Sequence, residues 1–330
     1  MKHYLGMDVS KAKLDCSLLQ DASGTRRKAK NSIANNRGGI DVLLGWCKQQ
    51  GITPDGLHVI MESTGVYHEQ AALALCDAGV TVSIVNPAQV RNFARGIAVL
   101  SKTDSIDSLV LARYGALLNP AAWTPPTPAA RTLQALLSRR EALAQDLQRE
   151  RNRQEKAEAT ETPARIHQSL KKSLTFLERQ LSELQKEIDE HIDHHPDLKE
   201  DRALLQSIPG VGPQVGNHLL SVMHRHVFMS AEQLAAYLGL VPIERQSGTS
   251  VLGRVRLSKN GPAHIRAILY MAAVVAIRHN PHIKALYARL LAKGKSKMSA
   301  IGAAMRKLVH LCFGVLKTRT PYRANYVKNT

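Results

Sequence analysis

Four carboxylates and a serine-rich basic stretch stand out in this chain, because residues of these types in these surroundings could handle a phosphodiester. Asp8 lies in Leu5-Gly-Met-Asp-Val-Ser-Lys and Glu62 in Val59-Ile-Met-Glu-Ser-Thr-Gly. Each follows a short apolar run, so each is expected to end a strand and project from a sheet edge. If those strands are neighbours the two acids converge, and like charges drawn together out of water are costly unless a cation sits between them. Asp104 and Asp107 are three residues apart at the start of a helical run, so both can face one side. The four make a hard oxygen set suited to Mg²⁺ or Mn²⁺, and two such ions about 4 Å apart can position phosphate oxygens. Singly the acids say less: Asp104 could cap its helix and Glu62 could bond a turn.

The stretch is Gln246-Ser-Gly-Thr-Ser-Val-Leu-Gly-Arg-Val-Arg-Leu-Ser-Lys-Asn-Gly. Hydroxyls, glycines and the cations Arg254, Arg256 and Lys259 meet there, with Arg266 just beyond. A serine attacks a phosphodiester only if its proton is removed and the developing charge is stabilised, which cations or a metal can do. The same composition also suits a phosphate-binding turn. Ser207-Ile-Pro-Gly-Val-Gly-Pro reads as a helix-hairpin-helix motif in which Gly210 and Gly212 open backbone amides to a phosphate. Close packing of two helices explains the same glycines.

Charge is distributed unevenly: +3 over residues 1–123, −1 over 124–200 and +16 over 201–330, with no acidic residue after Glu244. A folded segment so biased is the electrostatic footprint of a phosphate-backbone partner. Aromatic residues are 4% of the chain, too few for extended base stacking, so backbone contact should dominate. The four cysteines are scattered without a C-x-x-C pair, which argues against a disulfide or zinc framework. No apolar run reaches the roughly 18 residues of a membrane span, and the start of the chain lacks a signal-peptide core, so no membrane association and a cytoplasmic location are expected.

The elements that must position these residues follow from periodicity. Residues 3–9, 14–19 and 27–32 read as strands, the first two joined by a short hairpin turn. Helix and strand then alternate through 40–48, 57–62 and 80–85, which requires crossovers. The result is an α/β sheet of the ribonuclease H type over 1–123. A proline-rich break at 123–128 opens a connector over 124–200, with a helix over 131–159. Apolar residues at 170, 174, 177, 181, 184, 188 and 192 then predict a short coiled coil, or a helical hairpin closed within one chain. The basic part, 201–330, is expected to be mainly helical apart from the polar stretch 244–261.

With these pieces in order, the chain resembles the insertion-sequence transposases that pair a RuvC-like (DEDD) N-terminal domain with a serine-bearing C-terminal domain, the bridge-RNA-guided recombinases. The resemblance spans nearly the whole chain. It is carried by Gly6-Met-Asp-Val-Ser-Lys, Glu62-Ser-Thr-Gly-Val-Tyr, Asn86-Pro, Lys102-Thr-Asp-Ser-Ile-Asp, Ile208-Pro-Gly-Val-Gly, Gly239-Leu-Val-Pro, Ser247-Gly-Thr-Ser and Ser258-Lys-Asn-Gly. It implies an acidic quartet at Asp8, Glu62, Asp104 and Asp107 and a nucleophile at Ser247, with Ser250 the alternative in register. It further implies cleavage of target and donor DNA through a 5′-phosphoserine link, religation after strand exchange, and site choice by a structured non-coding guide (bridge) RNA. A homodimer, tetrameric in the synapse, is the expected assembly, with the serine domain of one protomer completing a carboxylate site on another and the coiled coil as the joining element. Two other readings stand beside it: a metal-only nuclease or junction resolvase, and a non-enzymatic nucleic-acid scaffold.

Overall fold

The computed structural model describes residues 3–19, 29–63, 65–99, 103–244, 246–247, 251–252 and 255–325. The chain divides into two compact units, 1–125 and 126–330. In the first, β1 (His3–Val9), β2 (Lys13–Leu19) and β3 (Ala29–Ala34) form an antiparallel meander. Ser10 closes the first turn: its backbone N–H and its hydroxyl both donate to the Lys13 carbonyl, at 3.0 and 2.8 Å. That fixes the register in which Asp8 faces Asp15 across the strands. Helix α1 (Arg37–Gln49), capped by the Asn36 side chain on the Gly39 N–H, leads to β4 (Leu57–Glu62), which runs parallel to β1. Helix α2 (Tyr67–Asp77) then crosses back to β5 (Thr81–Val85), parallel to β4. The strand order β3-β2-β1-β4-β5, antiparallel on one side and parallel on the other, is that of the expected ribonuclease H-type sheet.

Side-chain alternation decides which face each acid occupies. Leu5, Met7, Val59 and Met61 are buried with Ile40, Leu43, Ala72 and Leu75 of α1 and α2. Tyr4 and Ile60 point the other way, into a cluster with Val90 of α3 (Pro87–Gly96) and Val110, Leu111 and Tyr114 of α4 (Asp104–Leu118). Asp8 shares the parity of Tyr4, and Glu62 that of Ile60, so both acids stand on the face covered by α4. The fit of α4 on β1 is close enough to forbid a side chain: a Cβ at Gly6 would lie 1.9 Å from the Ser108 carbonyl and 2.4 Å from the Ala112 nitrogen. A buried bond of 2.8 Å between the hydroxyls of Ser17 and Ser108 fixes the helix along β2 as well.

In the second unit, α5 (Pro128–Glu158) and α6 (Ala164–Asp193) form a long antiparallel hairpin. The apolar repeat expected over 170–192 is therefore spent on the chain's own α5, with Leu174, Ile188 and Ile192 buried. Of the two readings the sequence offered, the helical hairpin closed within one chain is the one this seam forms here. The reason is local: five residues suffice to turn α6 back on α5, whose Leu133, Leu137, Leu143 and Leu147 supply the facing stripe. The hairpin root packs with α7 (Pro196–Gln206) and α8 (Pro213–Arg225), followed by α9 (Ala231–Tyr237). Four two-residue strands come next: β6 (Pro242–Ile243), β7 (Gln246–Ser247), β8 (Val251–Leu252) and β9 (Arg256–Leu257). Helices α10 (Ala263–His279), α11 (Pro281–Ala292) and α12 (Lys297–Thr318) complete the core. By length and composition α12 could cross a membrane, but half of that stretch is buried and its Ala304, Leu308, Val309 and Cys312 face the core.

If α4 is seated on β1 through position 6, Gly6→Ala drives a methyl group into the helix backbone and costs about 3 kcal/mol. Urea unfolding of the full chain should show a lower midpoint; an unchanged midpoint would mean the helix does not approach this closely.

Candidate active site

Three aspartates act on Asp8. Its carboxyl is held above its ordinary pKa of 3.8, first by burial and then by the charges of Asp107, Asp104 and Asp15, against a hydrogen bond with the Val9 backbone. Asp104 and Asp107 belong to the first turn of α4, which begins at the Thr103 cap, whose hydroxyl accepts from the Ile106 N–H. Glu62 takes the rung beside Asp8, because Met7 pairs with Met61 on the parallel strands. The fold thus gathers Asp8, Asp104 and Asp107 by charge and places Glu62 next to Asp8 by register.

Asp15 was not among the acids singled out from the sequence, although the hairpin sets it directly across from Asp8. Counting outward from the turn at 10–12 would have found it. Lys13 answers part of this charge, with its ammonium 2.9 Å from Asp15 and 3.0 Å from Asp104. Those two bonds, Asp15 first, raise the pKa of the amine. Both sides of the Lys13–Asp104 pair are substantially exposed, so that pairing is weak in energy, whereas the Asp15 side chain is mostly covered.

Among the described residues no three His, Cys, Asp or Glu side chains stand close enough together to hold a metal ion. The donor chemistry still fits a hard divalent cation. The groups are carboxylates, and the field that favours a proton on Asp8 is the field a dication would discharge. Asp8, Asp104, Asp107 and Glu62 are the residues that would hold it.

In the polar stretch of the second unit, the described residues form two short strand pairings, together a narrow ribbon. At its root Pro242 and Ile243 of β6 pair with Leu257 and Arg256 of β9. Farther out Gln246 pairs with Leu252, and Ser247 with Val251. Ser247 therefore sits in a strand near the tip. Ser250 and Arg254 lie outside the described residues. Arg256 and Lys259 are exposed. Arg266, expected among the cations that meet nucleic acid, is half-buried, and its Nη1 donates to the carbonyls of Gly261 at 2.8 Å and Leu238 at 3.4 Å.

The two hairpin glycines separate into different roles. Gly210 has φ +103°, and a Cβ there would lie 2.6 Å from the Ala276 Cβ, so packing against α10 explains it. Gly212 caps α8 and faces open space, so packing does not.

Two family models match this chain: a DEDD-type IS110 transposase model over residues 5–157 and the Transposase IS116/IS110/IS902 family over residues 202–288. A pilin gene-inverting protein of Moraxella lacunata is 33% identical over 327 residues, covering 97% of this chain and 98% of the relative. The chain belongs to the IS116/IS110/IS902 transposase family. A transposase for insertion sequence element IS1111A of Coxiella burnetii is 31% identical over 143 residues, 40% of this chain and 38% of the relative. The structure of T. thermophilus RuvC in complex with Holliday junction substrate is similar over 34% of this chain and 92% of its own, at 15% identity and a TM-score of 0.27. The IS116/IS110/IS902 chain is thus a DNA transposase/recombinase enzyme with a DEDD-type first unit, a domain type that works with divalent metal. Its first family match holds all four acids named from the sequence, and its second holds the hairpin, the ribbon and Arg266.

Because the folded protein raises the pKa of Asp8 above 3.8, it binds a proton there more tightly than the unfolded chain does. Stability is then lost as pH rises from below 3.8 through the folded value, and the cost persists at neutrality. Metal-free Asp8→Asn should melt a few degrees above the wild type near neutral pH, and the gap should close in acid. Adding Mg²⁺ should raise the wild-type melting temperature and not that of the variant. Equal melting with and without EDTA at all pH values would remove the strained carboxylate from the account.

Proposed function

We propose that this transposase cuts and rejoins DNA through Ser247. The hydroxyl oxygen attacks a phosphodiester, a P–O bond forms to the serine, the bond to the 3′ oxygen breaks, and a 3′-hydroxyl leaves with the proton. Religation is the reverse, with a 3′-hydroxyl from another strand attacking the 5′-phosphoserine and freeing the enzyme. The phosphodiester energy is stored in the protein linkage, so no nucleotide is consumed. The observation that carries this reading is the position of Ser247 on a ribbon inside the matched 202–288 segment, in a unit that has no acidic residue beyond Glu244. A nucleophile aimed at a polyanion needs that freedom from repulsion.

Asp8, Glu62, Asp104 and Asp107 are the metal ligands in this reading. A divalent ion there supplies charge neutralisation on the phosphate oxygens and acidifies a bound hydroxyl. Arg256 and Lys259 meet the phosphate backbone, and the amides around Gly212 at the start of α8 give a further backbone contact. The Moraxella relatives are named for gene inversion, which is strand exchange without net synthesis and fits the cut-and-rejoin chemistry. From the resemblance, we further propose that a structured guide RNA chooses target and donor, and that two dimers assemble at the synapse, the serine of one protomer serving the carboxylates of another. Scarce aromatics and abundant cations suit a protein that reads helix shape and backbone while base pairing reads sequence.

The test is incubation with the element's flanking RNA, matched end-labelled DNA and Mg²⁺, followed by denaturing gel analysis. Wild type and Ser250→Ala should give a protein–DNA adduct that Ser247→Ala lacks, and omission of the RNA should abolish it. Cleavage without any adduct, retained by Ser247→Ala, would instead establish a metal-only nuclease in which water attacks. An adduct formed equally without RNA would remove the guide and leave the serine chemistry.

A further inference from the structure

Ser247 stands on a ribbon of two-residue pairings, and pairings that short have almost no stability of their own. Whatever aims the serine must act at the root. Two turns meet there. Helix α9 ends at a left-handed Gly239, φ +71°, after which Leu240 and Val241 lead into β6. Strand β9 leaves through Ser258, a left-handed Lys259 at φ +56° and Gly261 at φ +144°. The turns are bonded to one another: the Ser258 N–H donates to the Val241 carbonyl at 2.8 Å, and the Lys259 N–H to the Gly239 carbonyl at 3.2 Å. A Cβ at Gly261 would fall 2.2 Å from the Tyr237 carbonyl, so the two backbones touch.

Arg266 holds both turns at once. It projects from the first turns of α10, and its Nη1 donates to the Gly261 carbonyl of one turn and the Leu238 carbonyl of the other. A Cβ on Gly239 would lie 3.0 Å from this same nitrogen, which places the guanidinium inside the junction. A phosphate-binding arginine would instead extend its fork to solvent, as the exposed Arg256 and Lys259 are free to do by position.

We propose that Arg266 is a positioning residue for Ser247, clamping the root of the ribbon so that the serine is presented at a fixed angle, and that it makes no nucleic-acid contact. The catalytic consequence rests on the serine reading above; the clamp itself does not.

The experiment uses the full chain with Arg266→Lys and Arg266→Ala beside Arg256→Gln. Four quantities are read: amide exchange at Ser258 and Lys259, salt dependence of DNA binding, adduct formation at saturating DNA, and melting temperature. The Lys variant keeps the charge, but its ammonium stops one bond short of the position of Nη1, which makes both contacts. It should exchange faster at Ser258 and Lys259, bind DNA with unchanged affinity and salt slope, and form adduct about 10- to 100-fold more slowly at saturation. Added guanidinium should restore part of the rate to Arg266→Ala, and the melting temperature should hold. Arg256→Gln should do the opposite, lowering the salt slope by about one and leaving the two amides protected. A reduced salt slope in Arg266→Ala with wild-type adduct formation at saturation would make Arg266 a phosphate contact and overturn the proposal. A lower melting temperature with faster exchange throughout α9, α10 and α12 would overturn it as well, by showing a general structural role. Should the wild type cleave without any adduct, the serine reading fails, and the clamp is then decided by exchange at Ser258 and Lys259 alone.

Discussion

Where α4 crosses β1, the helix backbone comes so near the strand that position 6 has no room for a Cβ. The placement of the acids depends on this contact. Asp8 is two residues beyond Gly6 on the same face of the strand, while Asp107 directly precedes Ser108, the residue that Gly6 meets, and Asp104 lies one turn before it. A helix seated one side chain farther out would carry both aspartates away from Asp8. The hydroxyl pair Ser17–Ser108 holds the same helix against β2, so it can neither lift nor slide along the sheet without breaking a buried bond. The arrangement also turns the positive end of the helix dipole toward the acids, since Asp104 and Asp107 occupy the first turn.

That gain offsets only part of the repulsion. Asp8 is buried enough to resist ionisation and feels three other aspartates, while Lys13 beside them is half exposed and bonded to Asp15 and Asp104. A fold selected for stability alone would place an asparagine or an apolar residue at position 8. The retained charge makes sense as binding energy held in reserve for a cation. The second unit has the complementary imbalance, +16 with three acids, and asks for a polyanion. The chain therefore carries two unsatisfied electrostatic demands of opposite sign, which a metal ion and a nucleic acid answer together.

Much of the first unit was legible in the sequence because alternation in a sheet leaves little choice. The strand runs, the early hairpin and the crossovers follow from periods of two and 3.6, and they bring Asp8 and Glu62 to neighbouring rungs. Asp15 went unread because its meaning is a register, set by the bonds of Ser10, and no local motif marks it. The heptad pattern of 170–192 was read as an apolar seam, and it is one; periodicity states that a helix needs a partner and is silent on which. Here the partner is the preceding helix. Arg266 was placed among the nucleic-acid cations because composition registers its charge, whereas its hydrogen bonds to Gly261 and Leu238 depend on two turns more than twenty residues apart in the chain.

Those two turns show how an element with little stability of its own can be held in place. A serine on a helix would be fixed by the helix, but its backbone would already be committed and its surroundings packed. A ribbon of two-residue pairings lacks intrinsic rigidity. The rigidity has to be imported at the root, and every feature there serves that end. Gly239 and Gly261 remove the side chains that would keep the turns apart, the cross-bonds at Ser258 and Lys259 tie backbone to backbone, and Leu257 packs against Gly302 on α12 and the core beneath. The segments Gly239-Leu-Val-Pro and Ser258-Lys-Asn-Gly, which read in the sequence as two separate motifs, are thus two halves of one mount. Its geometry sets the direction in which the residues between them leave the protein.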